Sequence, residues 1–442
     1  SGNSTTTGNN NTALGHNTLF TNVAGDRSVA VGFQALYAQN PTGNVDMYNT
    51  AVGYEAGTTI TTGTYNTLVG GNAGDAITSG HYNIAIGFNA LGAEDAHGIN
   101  VAIGANALSA LNAGADGYNV AIGHDAGETM STGTSNTIVG GLAGDALTTG
   151  GANVAIGTSA LTAETTGDFN VAVGVNSLQY LDGGEGNVAM GYRSGTGMST
   201  GTQNVYIGTY CGNQVTTGSR NTAIGYYALD SEDTGGRNVA IGYQALKMLN
   251  ASADGYNTAI GYEAGLLIDT GIENTLVGGL AGDAITGGME DTFIGYDAGS
   301  LTTDSERCTF IGAEAGNALN YSGENNTAIG YNAEPSAIAI DDEFTLGDTN
   351  IGTLRCQVNT ITLISDERDK TDIQDIDYGL DLIENLRPRK FTWDSRDGAK
   401  QGQKEIGFIA QELQEVDDEY LNFVQDNNPD KLEAGWMQLV PV

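Results

Sequence analysis

Short cores of the form Asn-Thr/Val-Ala-Ile/Val-Gly recur along three quarters of the chain, as Asn11–Gly15, Ser28–Gly32, Asn49–Gly53, Asn66–Gly70 and onward to Asn326–Gly330. There are nineteen copies, and the fifth position is glycine in all of them. Fourteen of the 18 intervals between these glycines are 17 residues; the others are 21, 19, 19 and 18. The second position is β-branched throughout, the fourth is always apolar and the third is mostly alanine. β-branched and apolar residues at alternate positions predict a short strand. The intervening position is also small and apolar, so the strand is expected to be buried on both sides. A small residue recurs at the eighth position (Ala35, Ala56, Cys211, Ala333), and most copies place a glycine three residues before the Asn, where turns are needed.

A period this regular predicts an all-β repeat body, a parallel β-solenoid or β-roll with 17-residue coils. Stacked at the strand spacing of ~4.8 Å, nineteen coils make a rod of order 90 Å. Asn at the first position is placed to form an internal ladder. A thin coil of Gly and Ala has little core, so its small-residue face is expected to be buried against two other chains, making a homotrimer. The ninth position alternates in pairs, Leu19 and Leu36, Gly57 and Gly74, Leu91 and Leu108, and so on to Gly282. This super-period of four coils reads as regularly placed side loops. Those loops, with aromatic and His side chains at the sixth position (His16, Tyr54, Phe88, His124, Tyr192, Tyr262), are the candidate ligand-binding surface; the alternative is a packing stripe.

Charge narrows the function. The body to residue 364 carries 7 Lys+Arg against 34 Asp+Glu, and the remainder 9 against 19, summing to a net charge of -37. That repels phosphates and anionic lipid, so no nucleic-acid partner and no membrane insertion are expected. No run of about 18 apolar residues spans a bilayer. Cys211, Cys308 and Cys356 show neither metal-ligand nor disulfide spacing, so they are expected to be buried small residues in a protein made in a reducing cytosol. No metal or cofactor is expected. The chain opens Ser1-Gly2-Asn3-Ser4 without an initiator Met and is expected to be a fragment or processed product.

The chain divides into three segments: a repeat body over 1–334, a β-neck over 335–364 and a small α+β domain over 365–442. In the neck, Ile338–Ile340, Phe344–Gly347, Thr353–Val358 and Thr360–Ile364 read as strands. The last segment opens Ser365-Asp366-Glu367-Arg368-Asp369-Lys370 and continues through Gly379–Pro388, Phe391-Thr392-Trp393 and Gly407–Glu412. On the residues alone, Ser365 reads as a helix N-cap and Lys370 as a solvated lysine. Ser is a nucleophile only when a base takes its proton, and Lys is such a base only when desolvation or positive charge lowers its pKa; Arg368 supplies charge, while Asp366 and Asp369 oppose it.

The segment closely resembles the C-terminal intramolecular chaperone of endosialidase-type phage tail spikes and fibres, over essentially all of 365–442. The resemblance implies trimerisation, alignment of three chains during folding, and self-cleavage at the Ile364–Ser365 bond. Ser365 would be the nucleophile and Lys370 the general base, with Asp366 and Arg368 orienting. The chain stops at Leu439-Val440-Pro441-Val442, where the family commonly continues into a coiled-coil helix, so that helix is expected to be missing. The body, over 11–333, resembles the repetitive heads of trimeric adhesins and the shafts of phage tail fibres, although 17 residues exceeds the period associated with adhesin heads.

The expected protein is therefore a phage tail fibre or spike. It would be located in the virion after assembly in the host cytoplasm, and would bind itself, a virion attachment protein and a host-surface glycan or protein. The alternative is a cellular trimeric adhesin using the same chaperone. A polysaccharide-degrading spike needs paired carboxylates in a groove, and the longest spacer adds only four residues to the 17. Chemistry beyond a single self-cleavage is not expected.

Overall fold

The computed structural model describes residues 7–317, 321–351, 353, 355, 371, 373, 379–394, 401–416, 423–425 and 433–434. Twenty three-residue strands, from Thr12–Leu14 to Phe344–Leu346, form one parallel sheet in sequence order. Pairing follows the repeat without offset, as in Thr137 with Val154, Ile138 with Ala155 and Val139 with Ile156. The N–H of Thr137 donates to the carbonyl of Asn153 at 2.8 Å, and the corners are tied likewise, Leu161 N–H to the Ser177 carbonyl at 3.0 Å. The body is thus a parallel β-solenoid of about twenty coils, as the period predicted.

Burial on both strand faces is corrected. In the eighteen strands between the first and the last, the third residue is buried while the second and fourth never are. A coil that closes on itself turns one strand face inward, and among the described residues no second layer covers the other. The alanine face expected to meet other chains is the core of its own coil. Ala at the third and eighth positions, such as Ala155 and Ala160, has no exposed surface.

The Asn ladder forms as expected. Along the ladder Asn accepts the next copy's backbone N–H through Oδ1, and in most copies it donates from Nδ2 to a glycine carbonyl of the next coil; for Asn136 these are Asn153 N–H and the Gly150 carbonyl, both at 2.9 Å. One rung is acidic. Asp291 accepts from Cys308 N–H at 2.8 Å and Ser305 Oγ at 2.7 Å, and burial pushes its carboxyl up to about 6. An acid whose pKa is raised on folding adds stability at low pH that is lost as pH rises through the folded value. Asp291→Asn is expected to stabilise the fold by about 1–3 kcal/mol at pH 7 and to flatten its dependence between pH 4 and 7. Thermal midpoints of both proteins across that range check this.

The four-coil super-period is a matter of core volume. The ninth position has φ near +50° to +60° whether Leu or Gly occupies it. Where it is Leu, the side chain fills the coil, as for Leu91 and Leu108. Where it is Gly, a large residue at the third position of the second coil in the pair takes the space: Leu68, Ile138, Tyr206 or Leu276, each fully buried. A Cβ on Gly74 would lie 2.8 Å from Leu68 Cδ2, and one on Gly212 2.8 Å from Tyr206 Cδ1. The first Leu coil of the later super-periods also carries a buried Glu at its twelfth position, Glu94, Glu164 or Glu232. Each clamps the next connection by its backbone: Ala113 N–H on Glu94 at 3.4 Å, Gly183 N–H on Glu164 at 2.9 Å and Ala251 N–H on Glu232 at 3.4 Å. Burial raises the pKa of all three.

The sheet also continues past residue 334. Glu343 takes the Asn position, its N–H donating to Asn326 Oδ1 at 2.8 Å, and Phe344–Leu346 pairs in parallel with Thr327–Ile329. Gly347 lies 17 residues beyond Gly330, so this is a twentieth copy with altered side chains. Ile338–Ile340, read as a strand, is instead a turn. It falls at the corner of that coil, where the backbone must change direction. Of the remaining neck strands, only Thr353 and Arg355 fall within the described residues, and neither lies in a strand.

Candidate functional site

The residues expected to do chemistry, Ile364, Ser365, Asp366, Arg368 and Lys370, lie outside the described residues. Among its described residues, the C-terminal segment beyond them has two short helices and two antiparallel strand pairs. Helix Leu380–Asn385 precedes the antiparallel strands Arg389–Asp394 and Gln401–Gly407. Helix Ala410–Gln414 and the antiparallel pair Val424–Gln425 and Glu433–Ala434 complete it. Leu382, Leu413, Phe423 and Val424 form a core, with Leu386, Phe408, Ala410 and Val416 packed against it. Two of the three later sequence motifs are accounted for by this packing. Gly379–Pro388 supplies the first helix and Leu382, and Gly407–Glu412 supplies Phe408 and the start of the second helix.

Glu412 at that helix start also fixes the hairpin. Arg389 donates from Nε to Glu412 Oε2 at 2.8 Å and from Nη2 to Oε1, a two-pronged pair. The hydrogen bond to Arg389 holds the Glu412 carboxyl below its ordinary range. Within the hairpin, Trp393 Nε1 donates to Glu405 Oε2 at 2.5 Å and the Trp393 ring meets Phe391 edge-on. These contacts bind the segment together; no described residue of it forms a nucleophile–base pair.

On the body, the sixth-position aromatics form columns. His16, Phe33 and Tyr54 stack at 5.5 and 5.3 Å between centroids, and Tyr226, Tyr243 and Tyr262 at 5.7 and 5.2 Å. Rings stacked on one another present their edges, and the hydroxyl rims of the tyrosines, to solvent. Glu94, Asp95 and His97 place ligand atoms within 4.8 Å of one another, a set able to hold a divalent cation. Among the described residues, no helix is long and apolar enough to cross a membrane.

No curated protein and no solved structure matches the chain. Residues 365–422 match the family model described as chaperone of endosialidase, beginning at the serine directly after the neck. Such a segment supports a C-terminal trimerisation and folding chaperone. A β-solenoid body of about twenty coils ending in this match fits an endosialidase-type tail fibre with a chaperone domain.

Proposed function

We propose that this chain is a phage tail fibre or spike whose C-terminal segment aligns three copies, drives their folding and is then released by cleavage at Ile364–Ser365. The observation that carries it is the family match starting at Ser365, directly after a body built from near-identical coils. Such coils pair out of register by one repeat at little cost, and winding long β-structure from non-local contacts is slow. A terminal clamp removes the ambiguity. Removing the clamp afterwards leaves a fibre held by its unfolding barrier.

In this reading Ser365 attacks and Lys370 takes its proton, with Asp366 and Arg368 orienting. The body then adsorbs to a host-surface glycan or protein through its aromatic columns and side loops, while an end of the fibre joins a virion attachment protein. Denaturing electrophoresis of freshly expressed protein tests the cleavage. Wild type is expected to run as two fragments, and Ser365→Ala and Lys370→Ala as a single full-length band. A full-length wild-type band unchanged by either substitution defeats the proposal.

A further inference from the structure

We infer that copies of this chain pack on one another through the outward face of the twenty-stranded sheet, formed by the second and fourth positions of every coil. The inference rests on the assembly reading above and assigns the surface that assembly uses.

In eleven of the twenty strands the fourth-position side chain stands open in the single chain, from 36% exposed at Val69 to 42% at Met190 in the interior coils, with Leu14 at the end reaching 68%; in the other nine it is half-buried. A side chain of this size offers roughly 100 Å² in all, so each open one leaves about 40 Å² bare and the eleven together about 440 Å², to which the nine half-buried ones add. With the half-buried ones added, this reaches the upper end of the ~300–600 Å² of the largest apolar patch on an ordinary monomer. The Thr and Val residues of the second position add to it.

Charge points the same way. Two positions on twenty strands make forty residues, and none is Asp, Glu, Lys or Arg, in a chain that is 16% charged. Acidic chains repel one another, so they approach where the charge is absent. Charged residues instead occupy the corners, for example Glu55, Asp125 and Glu263 at the seventh position. The occupant that fits an uncharged row, mostly Ile and Val and repeating every coil, is the same row on another copy, which repeats with the same period. The alanine face cannot serve, because it is sealed inside the coil.

Sedimentation of the full chain tests this with Ile156→Asp/Ile260→Asp, which puts two carboxylates on the face, beside Leu142→Asp. The latter adds charge at an exposed corner, at the seventh position where the preceding coil carries Asp125. Wild type and Leu142→Asp are expected to assemble, and the double variant to sediment as single chains. A double variant that assembles like wild type overturns the face assignment alone; a wild type that stays single overturns the assembly reading and this assignment with it. Should the double variant not fold, Ile156→Cys and Leu142→Cys replace it, with the unsubstituted chain as background. Maleimide is expected to label the first about tenfold more slowly than the second in the assembled protein, since burial of a site slows its reaction. Equal rates overturn the inference.

Discussion

Gly140→Ala is expected to open the solenoid at its own coil, at a cost above about 4 kcal/mol. Gly140 ends its strand at φ +143°, and a Cβ there would lie 2.5 Å from the Gly157 carbonyl oxygen and 2.6 Å from its carbon. Those atoms are backbone of the next coil, and that backbone is held by hydrogen bonds, so nothing yields without parting the stack. Gly144→Ala, four residues on, is the control. Its φ of +52° is one that Leu161 and Leu178 adopt at the same position of later coils, and its nearest neighbour, Ile138 Cδ1, is 3.3 Å away. That substitution is expected to cost only about 1 kcal/mol. Hydrogen exchange separates the two. In a stack where each coil contacts only its neighbours, protection is lost around residues 123–157 in Gly140→Ala and kept in distant coils. Exchange in Gly140→Ala matching that in Gly144→Ala contradicts the backbone-contact argument.

Asn136→Ala removes a rung of the internal ladder. It leaves Asn153 N–H and the Gly150 carbonyl buried without their 2.9 Å partners. Two unmet backbone groups at about 1–3 kcal/mol each predict a loss of about 2–6 kcal/mol. Asn136→Asp is more informative. It keeps the acceptor for Asn153 N–H and loses the donor to Gly150, and burial is expected to raise its carboxyl above the ordinary range, as it does for Asp291. A neutral Asp carries a proton that can restore the lost donation. The variant is therefore expected near wild type at pH 4 and clearly less stable at pH 7, the loss appearing as pH climbs through the folded pKa. Thermal midpoints at the two pH values, taken at one scan rate, measure it. A loss equal at both pH values would show that the rung is not titrating.

Much of this was legible in the sequence because it repeats. Nineteen glycines at the fifth position announced the coil, and Asn at the first announced the ladder, which runs unbroken from Asn49 to Asp291. The C-terminal segment was legible through its motifs, of which Gly379–Pro388 supplies Leu382 of the small core and Gly407–Glu412 supplies Phe408 and Ala410 packed against it. Less was readable where a position's role depends on what lies across the coil. The Leu and Gly pairs of the ninth position looked like a rhythm of surface loops. They record a trade of volume with Leu68, Ile138, Tyr206 and Leu276, six residues earlier in their own coils and on the opposite wall. Likewise Glu343–Gly347 hid a twentieth copy, because Glu, Phe and Thr replaced the usual Asn, β-branched residue and Ala while the spacing of 17 persisted.

The sequence by itself determined the period, the strand in each coil, the direction of stacking and the segment that begins at Ser365. These come from local alternation and from spacing, which need no partner in space. Only the tertiary structure decided which strand face is core. The third position, mostly alanine, stands between β-branched and apolar neighbours in nearly every strand, and either face is apolar enough to be buried. The closing of the coil turned the third position inward, where alanine packs beside Leu of the ninth position and Leu68, Ile138, Tyr206 or Leu276 fills the space that Gly leaves there. That choice left the row of Ile and Val outside.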